Sequence, residues 1–312
     1  MSQANNSAEQ ADHQPLDLIA LWLVLWRSKW SIIGFTIAFT CAAVVYSLQL
    51  PNIYKSSVLL SPQESQDSGL SGLAGQFGGL ASVAGINLAG GNNDTAMHIE
   101  IIKSKDFLYD FFNKHNIAPL LFAVKEWDKN SEQLIFDELR YDGQLHVWQI
   151  NNEKNESFEP SQYDVYERFL KLLSIVQNKT TGLVTIEFEH QSPSVAKNIL
   201  DLIVADINEL MRQTEINDKQ KSIEFLGMQL TKTSIAEMKN VFYSIIEEQT
   251  KLMLLAEVRK DFVFKVIDSP IVEERKSSPN RAIICIASLL FGGLISCLVC
   301  LVLHFYRSFK TA

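Results

Sequence analysis

WSIIGFTIAFTCAAVVYSLQL, residues 30–50, is a run of 21 residues without a charged side chain. A second uncharged run of 22 residues, AIICIASLLFGGLISCLVCLVL, occupies residues 282–303. At about 1.5 Å per residue, each run forms a helix of about 30 Å, the thickness of the hydrocarbon core of a bilayer. The sequence therefore predicts two transmembrane helices with one large domain between them and both termini on the same side.

Basic residues around the first span set the expected orientation. Arg27 and Lys29 precede this span and only Lys55 follows it closely, and the first helix usually decides the topology. We therefore expect both termini in the cytoplasm. The predicted order is a cytoplasmic tail (1–29), a first span (30–50), a periplasmic domain (51–281), a second span (282–303) and a second cytoplasmic tail (304–312).

The residues ahead of the first span argue against a cleaved signal peptide, which is the alternative for residues 30–50. Glu9, Asp12 and Asp17 lie in this tail, and no A-x-A-like cleavage site precedes Pro51. The tail ends in LDLIALWLVLW, residues 16–26, which predicts an amphipathic helix at the membrane surface.

The net charge and the positions of the cysteines indicate which partners and which covalent links the domain between the spans can have. Residues 51–281 contain 24 basic and 33 acidic residues, a net charge of about −9. This charge argues against nucleic acid, or an anionic lipid surface, as the partner of the domain. All four cysteines lie within the predicted spans, so the domain is expected to fold without disulfides.

A glycine-rich segment follows the first predicted strand. Residues 69–91 contain eight of the 14 glycines and no charge. Their apolar residues recur at helical spacing, which predicts a loosely packed helix that needs a neighbour: Leu70, Leu73, Phe77, Leu80 and Ala84. A phosphate-binding loop is not expected, because no Gly-Lys-Ser/Thr is present.

The remainder of the domain predicts alternating helices and strands. The predicted strands are residues 54–61, 134–140, 145–150, 183–190 and 262–267, and the predicted helices are residues 95–112, interrupted at Ser104, and 163–176. On strand 183–190, Glu187 and Glu189 share one face. Two such carboxylates are a hydrolase pair in principle, but on an alternating strand they more often form a solvated face.

Residues 194–260 form the most distinctive part of the domain, since these 67 residues include no proline and only one glycine, Gly227. Ser194 can cap the helix start. As one rod the helix would be about 100 Å long, but a helix that doubles back near TKTS, residues 231–234, fits equally well. In the outer part the apolar stripe continues through Ile223, Leu226 and Leu230. A small base cannot cover this stripe, so the three residues are candidate contacts with another copy or another protein.

Catalytic and metal sites are not expected. The six histidines show no metal-ligand spacing, and neither a G-x-S-x-G motif nor a phosphate loop is present. We therefore predict no cofactor, no metal and no enzymatic activity. In the second span, the small residues Gly292, Gly293 and Ser296 are candidates for close helix packing.

Six segments in order carry a family resemblance: LDL (16–18), YKSSVLLSP (54–62), GLASVAGINLAGG (79–91) followed by IEIIKSKDFL (99–108), QSPSVAKNILDLIVADIN (191–208) and EEQTKLMLLAEVRKDFVFKVIDSP (247–270). Together with the proline-flanked second span, they resemble the Wzz-type chain-length determinant family, the polysaccharide co-polymerases of lipopolysaccharide O-antigen and related glycans. The family's proline-rich pattern before the second span is matched at Pro270 and Pro279, while IVEERKSS between them lacks an expected proline.

The resemblance implies an α+β inner-membrane protein, with a periplasmic α/β base and a long helical projection between two transmembrane helices. It implies ring-like homo-oligomers that act on an O-antigen-type polymerase and an undecaprenyl-pyrophosphate-linked glycan, in contact with membrane lipid. The expected function is a non-catalytic scaffold that sets the chain length of a surface polysaccharide. The alternative is a two-span periplasmic ligand-sensing receptor, which would need an output domain that the nine residues after Leu303 do not provide.

Overall fold

The computed structural model describes residue 26 and residues 28–63, 91–151 and 156–311. It contains two compact units, one of the terminal segments up to Pro51 and from Ser278, and one of Asn52–Ser277. The surface helix expected at residues 16–26, apart from Trp26, and the glycine-rich helix expected at residues 69–91, apart from Gly91, lie outside the described residues.

Helices and short strands alternate along the described chain. The helices are α1 (Lys29–Gln49), α2 (Gly91–Lys103), α3 (Lys105–His115), α4 (Ile117–Phe122), α5 (Gln162–Leu172), α6 (Pro193–Lys232), α7 (Ala236–Val258) and α8 (Arg281–Thr311). The strands are β1 (Tyr54–Pro62), β2 (Val124–Asp128), β3 (Gln133–Phe136), β4 (Tyr141–Asp142), β5 (Val147–Trp148), β6 (Ile150–Asn151), β7 (Glu156–Ser157), β8 (Leu173–Gln177), β9 (Val184–His190) and β10 (Phe264–Asp268).

Helices α1 and α8 form the terminal unit and pack against each other. Lys29–Gln49 and Arg281–Leu303 are long and apolar enough to cross a membrane, with mean hydropathies of 1.9 and 2.6. The mixed α+β class with two candidate membrane helices, expected from the sequence, is therefore confirmed.

The second unit is built on a four-stranded antiparallel sheet in the order β10-β1-β9-β8. Successive side chains of β9 point to opposite faces of the sheet. Val184, Ile186 and Phe188 share one face and are fully buried, so this is the covered face. On the opposite face, Glu187 forms an ion pair with Lys55 of β1 at 3.1 Å. Glu187 on this face therefore forms an ordinary ion pair with the neighbouring strand.

The predicted helix over residues 163–176 is wrong in its last part. Helix α5 ends at Leu172, and the chain continues as strand β8, in which Ile175 lies opposite Ile186. The β-branched Ile175 and Val176 favour an extended backbone. Pairing with β9 thus outweighs the helical spacing that this segment shares with α5.

Helices α3, α5 and the start of α6 cover the sheet. Ser104 separates α2 from α3, and its Oγ accepts a hydrogen bond from the backbone N–H of Phe107 at 3.3 Å. Aromatic rings fill the centre, where the ring of Phe169 lies 5.0 Å from the rings of both Phe112 and Phe188. We call the four-stranded sheet, α3, α5 and residues 193–208 of α6 the base.

Three two-stranded hairpins occupy residues 124–157, pairing β2 with β3, β4 with β5 and β6 with β7. The strands predicted at residues 134–140 and 145–150 are shorter in the structure, because turns interrupt them. The Asp142 carboxylate accepts hydrogen bonds from the backbone N–H groups of Gln144 and Leu145 and so closes one of these turns.

The long helical segment doubles back. Helix α6 has 40 residues and ends at Lys232, Thr233–Ile235 are not helical, and α7 returns in contact with α6. The start of α6 differs from the expected cap at Ser194: Pro193 takes the first helical position, and Ser192 Oγ accepts the backbone N–H of Val195. We call residues 209–258 the helical hairpin.

Candidate functional site: the helical hairpin and the paired membrane helices

The inner face of the helical hairpin is only half covered. Ile223, Leu226 and Leu230 are half-buried, and the returning helix α7 shows the same spacing at its own half-buried apolar residues: Phe242, Ile245, Ile246, Leu252 and Met253. Because α6 and α7 are in contact, we infer that these two stripes face each other. A second copy is therefore not needed to cover the α6 stripe, and contact of Ile223, Leu226 and Leu230 with another copy stays a prediction.

A different set of apolar side chains on the hairpin points outward. Six large side chains near the turn are 43–60 % exposed: Phe225, Met228, Ile235, Met238, Val241 and Tyr243. Phe225 and Tyr243 are equally distant in sequence from the non-helical turn. We call these six residues the turn cluster. Apolar groups concentrated in this way mark an interaction surface.

Sequence reasoning missed the turn cluster. The stripe that it followed consists of Ile223, Leu226 and Leu230, and Phe225 and Met228 lie on the other side of the same helix, since two residues correspond to about 200° of rotation. The sequence did contain a signal for the turn cluster, because the outer part of α6 carries apolar residues on two opposite faces.

The root of the hairpin is attached to the base by a buried amide. Asn208 Nδ2 donates to the Phe264 carbonyl at 2.9 Å, and its Oδ1 accepts the backbone N–H groups of Val263 and Phe264 at 2.8 and 2.9 Å. These three hydrogen bonds join α6 to the start of β10. Asn208 therefore fixes the position at which the hairpin leaves the base.

One turn beyond Asn208, an ion pair begins the exposed part of the hairpin. Arg212 contacts both carboxylate oxygens of Glu209, at 2.6 and 2.8 Å. The hydrogen bonds from Arg212, together with one from Gln213, lower the pKa of Glu209. The Arg212 guanidinium group and the Glu209 carboxylate are therefore paired with each other within α6.

In the terminal unit, two of the three small residues singled out in the second span lie against the first span. A carbon added at Gly292 would lie 2.9 Å from Cδ1 of Phe39 in α1, closer than such atoms normally approach, whereas Gly293 has open space around it. Ser296 Oγ donates to the carbonyl oxygen of Ile32 at 3.2 Å. Gly292 and Ser296 thus face α1 within one chain.

The proline-flanked segment lies beside the start of β1. Pro270 is buried and Pro279 is half-buried. After Pro270, Ser56 Oγ donates to the carbonyl oxygen of Ile271 at 2.9 Å, and Ser277 N–H donates to the carbonyl oxygen of Ile53 at 2.8 Å. The backbone of this segment is therefore held at both ends.

The buried His190 has structural hydrogen-bond partners. His190 is hydrogen-bonded to the Leu120 carbonyl at 2.8 Å and to the Ser192 N–H at 3.0 Å, and burial lowers its pKa. Within the part of the chain that the structure describes, no group of three or more His, Cys, Asp or Glu residues could hold a metal ion.

Comparison with known proteins points to one family. Residues 14–115 match the family described as Wzz, chain length determinant protein. These residues include α1, β1, α2 and α3, and they contain the first four of the six segments that carry the sequence resemblance. The resemblance to Wzz-type chain length determinants is therefore confirmed. None of the curated proteins matches the chain.

Among solved structures, the chain is similar to a full-length bacterial polysaccharide co-polymerase, with 15 % identity and a TM-score of 0.42. That match covers 95 % of this chain and 100 % of the other. It is also similar to a fragment of WzzB, a polysaccharide co-polymerase from Salmonella Typhimurium, with 13 % identity and a TM-score of 0.29, over 73 % of this chain and 100 % of the other.

Proposed function

We propose that this chain, in which residues 14–115 match the Wzz chain length determinant family, is a non-catalytic scaffold in the bacterial inner membrane that sets the length distribution of a surface polysaccharide. The observation that carries this proposal is the helical hairpin with its exposed turn cluster, held by the base in a chain with two candidate spans. A protein that recognises other molecules through a surface needs a rigid support and an uncovered apolar area, and the base and the hairpin supply these two features.

Self-association is the first expected property of this scaffold. The turn cluster leaves apolar side chains uncovered at the hairpin turn, and burial of such area drives association at about 25 cal/mol per Å². We propose that hairpins of neighbouring copies bury the turn cluster in a ring-like homo-oligomer. Several copies side by side would present repeated weak contacts to one polymer, and their combined affinity would depend on the length of that polymer.

The partners proposed for the assembly are an O-antigen-type polymerase and the undecaprenyl-pyrophosphate-linked glycan that this polymerase extends. Both act at the inner membrane, in which the two candidate spans would hold the scaffold. Gly292 and Ser296 support this arrangement, since they let α8 pack closely on α1.

The topology can be tested with alkaline phosphatase, which is active only outside the cytoplasm. A fusion after Gly143, in a turn between β4 and β5, should be active, and a fusion after Ala312 should be inactive. Activity of the C-terminal fusion would contradict the proposed orientation.

The function itself can be tested by deletion of the gene. Lipopolysaccharide from the deletion strain should give a graded ladder of chain lengths on a gel, whereas the parent strain and the complemented strain should give a clustered one. An unchanged clustered ladder after deletion would exclude a role in the chain length of this glycan.

A further inference from the structure

We propose that a cavity at the root of the helical hairpin binds a small hydroxylated anion, which is the chemistry of a sugar acid. The cavity has a volume of about 510 Å³, within the range of small-molecule sites. One side of it is a face of α6, on which Asp201, Asn208 and Arg212 follow each other at helical spacing. The other side consists of the end of α7 and the residues that follow it. We call this space the root cavity.

Apolar side chains of the sheet and of α6 form part of the wall of the root cavity. These lining residues are Val58, Val204, Ala205, Val266 and Pro270. Contact with such side chains removes the C–H groups of a ligand from water, which is favourable. The apolar wall therefore suits a ligand with a carbon skeleton better than an inorganic ion.

Two cations of the root cavity have no carboxylate partner. Arg259 is half-buried and Lys260 is exposed, and neither side chain forms an ion pair with any residue that the structure describes. The third cation, Arg212, is paired with Glu209 at 2.6 Å. A guanidinium group that is partly withdrawn from water and lacks a carboxylate is stabilised by an anionic group of a ligand, which it can bind with two parallel hydrogen bonds.

The carboxylates of the root cavity require a second feature of the ligand. Glu257 and Asp261 line the cavity and form no ion pair within the described part of the chain, while Asp201 is paired with Lys197 at 2.6 Å. Ionised carboxylates accept hydrogen bonds and do not donate them. A plain anion would therefore be repelled by these groups, whereas the hydroxyl groups of a ligand would donate to them.

These two requirements together define the chemical class of the ligand. It carries an anionic group for Arg259 and several hydroxyl donors for carboxylates that lie on two different elements. A sugar acid combines these groups on one carbon ring, whereas an ammonium zwitterion offers a single donor centre. The inference goes beyond the proposed function and does not require it, because the charges of the cavity define the ligand, and all the lining residues belong to the unit Asn52–Ser277.

The test uses the purified full-length protein in neutral detergent and saturation-transfer difference NMR titrations to measure apparent Kd values. The probes D-glucuronate and D-glucose share a hydroxylated ring and differ in the carboxylate. Acetate is the anion without hydroxyl groups, and β-alanine is the zwitterion without them. We expect glucuronate to bind about tenfold more tightly than each of the other three. Arg259→Gln should weaken the binding of glucuronate about tenfold, as expected for the loss of one charge-assisted contact.

Lys251→Gln is the matched control. Lys251 is exposed on α7, does not line the root cavity and forms no ion pair with a residue that the structure describes. The control variant therefore removes the same charge without changing the proposed site, and it should bind glucuronate like the parent protein. Circular dichroism should confirm that all variants keep the native helix content.

Asp261→Ala separates the recognition of hydroxyl groups from the attraction of a charge. Loss of a hydroxyl acceptor should weaken the binding of glucuronate, whereas loss of a repelling carboxylate alone would leave it unchanged or make it tighter. The proposal requires the weaker binding. It would be overturned by any other result in this variant, by an equal loss in the Lys251 and Arg259 variants, by glucose, acetate or β-alanine binding as tightly as glucuronate, or by the absence of glucuronate binding. None of these results involves the length of the glycan, so the proposed function can stand or fall separately.

Discussion

The base and the helical hairpin belong to the same continuous helix α6, yet they differ in how much of their surface the chain covers. The first 16 residues of α6 include eight buried ones, from Pro193 to Asn208, and from residue 209 to residue 255 no side chain is buried. The base completes its core within one chain. The hairpin leaves apolar side chains partly or largely uncovered, which is the property of a surface that binds something else.

This difference in coverage separates the folding of the chain from the association of its copies. In the base, α6 packs on strands β1 and β9, and its Asp206 is hydrogen-bonded to Lys114 and His115 of α3. In the hairpin, α6 and α7 pack against each other, and this contact leaves every side chain from residue 209 to residue 255 at least partly exposed. We therefore expect the base to determine whether the chain folds and the hairpin to determine how copies associate.

The largest expected effect is in the core of the base. Phe169 is fully buried and its ring contacts those of Phe111, Phe112 and Phe188. Phe169→Ala should lower the free energy of unfolding by about 3–5 kcal/mol, measured by urea unfolding of the full chain in detergent. Leu226→Ala on the half-buried hairpin stripe should cost about 1 kcal/mol. Equal losses in the two variants would contradict the difference between base and hairpin.

Charges on the inner face of the hairpin should act within one chain. Leu226→Glu with Leu230→Glu places two carboxylates against α7, at a cost of roughly 1–3 kcal/mol each, and should separate the two helices. Limited proteolysis should then cut near the turn faster than in the parent protein. At a protein concentration low enough to keep the parent and both variants monomeric, Phe225→Glu with Met228→Glu changes only exposed residues of the same helix and should leave the proteolysis rate nearly unchanged.

Two adjacent glycines of α8, Gly292 and Gly293, differ in how close they lie to α1. Gly292→Leu should weaken the packing of α8 on α1, because even its first carbon would lie 2.9 Å from the Phe39 ring, whereas Gly293→Leu meets open space. Cross-linking between cysteines introduced on the two spans should fall in the first variant only. If both variants cross-link like the parent, Gly292 is not needed for the packing.

The smallest expected effect is the pH dependence of the base. Burial lowers the pKa of His190, so the unfolded chain, in which the pKa is about 6.5, binds this proton more readily than the folded chain. The stability that neutral His190 contributes is complete above about pH 7 and decreases as the pH falls below about 6.5. The melting temperature should therefore decrease between pH 7 and pH 5, and less steeply in His190→Gln. The same slope in both proteins would mean that other groups cause the decrease.

Elements that depend on local pattern could be predicted from the sequence. The spans follow from uncharged runs, β9 follows from the alternation of Val184, Ile186 and Phe188, and the separation of α2 from α3 follows from Ser104. Strand β8 could not be predicted, because its residues continue a helical spacing and become a strand only through pairing with β9.

The candidate surfaces depended more on the tertiary structure. The sequence left open whether residues 194–260 form a rod, since the turn at Thr233–Ile235 has neither glycine nor proline to mark it. The sequence predicted an uncovered surface at Leu226. In the structure α7 returns along α6, and the exposed apolar residues are Phe225 and Met228 instead.

The most direct test of the account combines the exposed face of the hairpin with the length of the glycan. Cells that lack the gene should be complemented with the parent protein or with Phe225→Glu, Met228→Glu, and their lipopolysaccharide ladders compared at equal protein levels. We expect the parent to restore a clustered chain length and the variant to leave a graded ladder, because its hairpin folds but cannot associate through the turn cluster. A clustered ladder of unchanged length in the variant would contradict the claim that the uncovered face of the hairpin sets chain length.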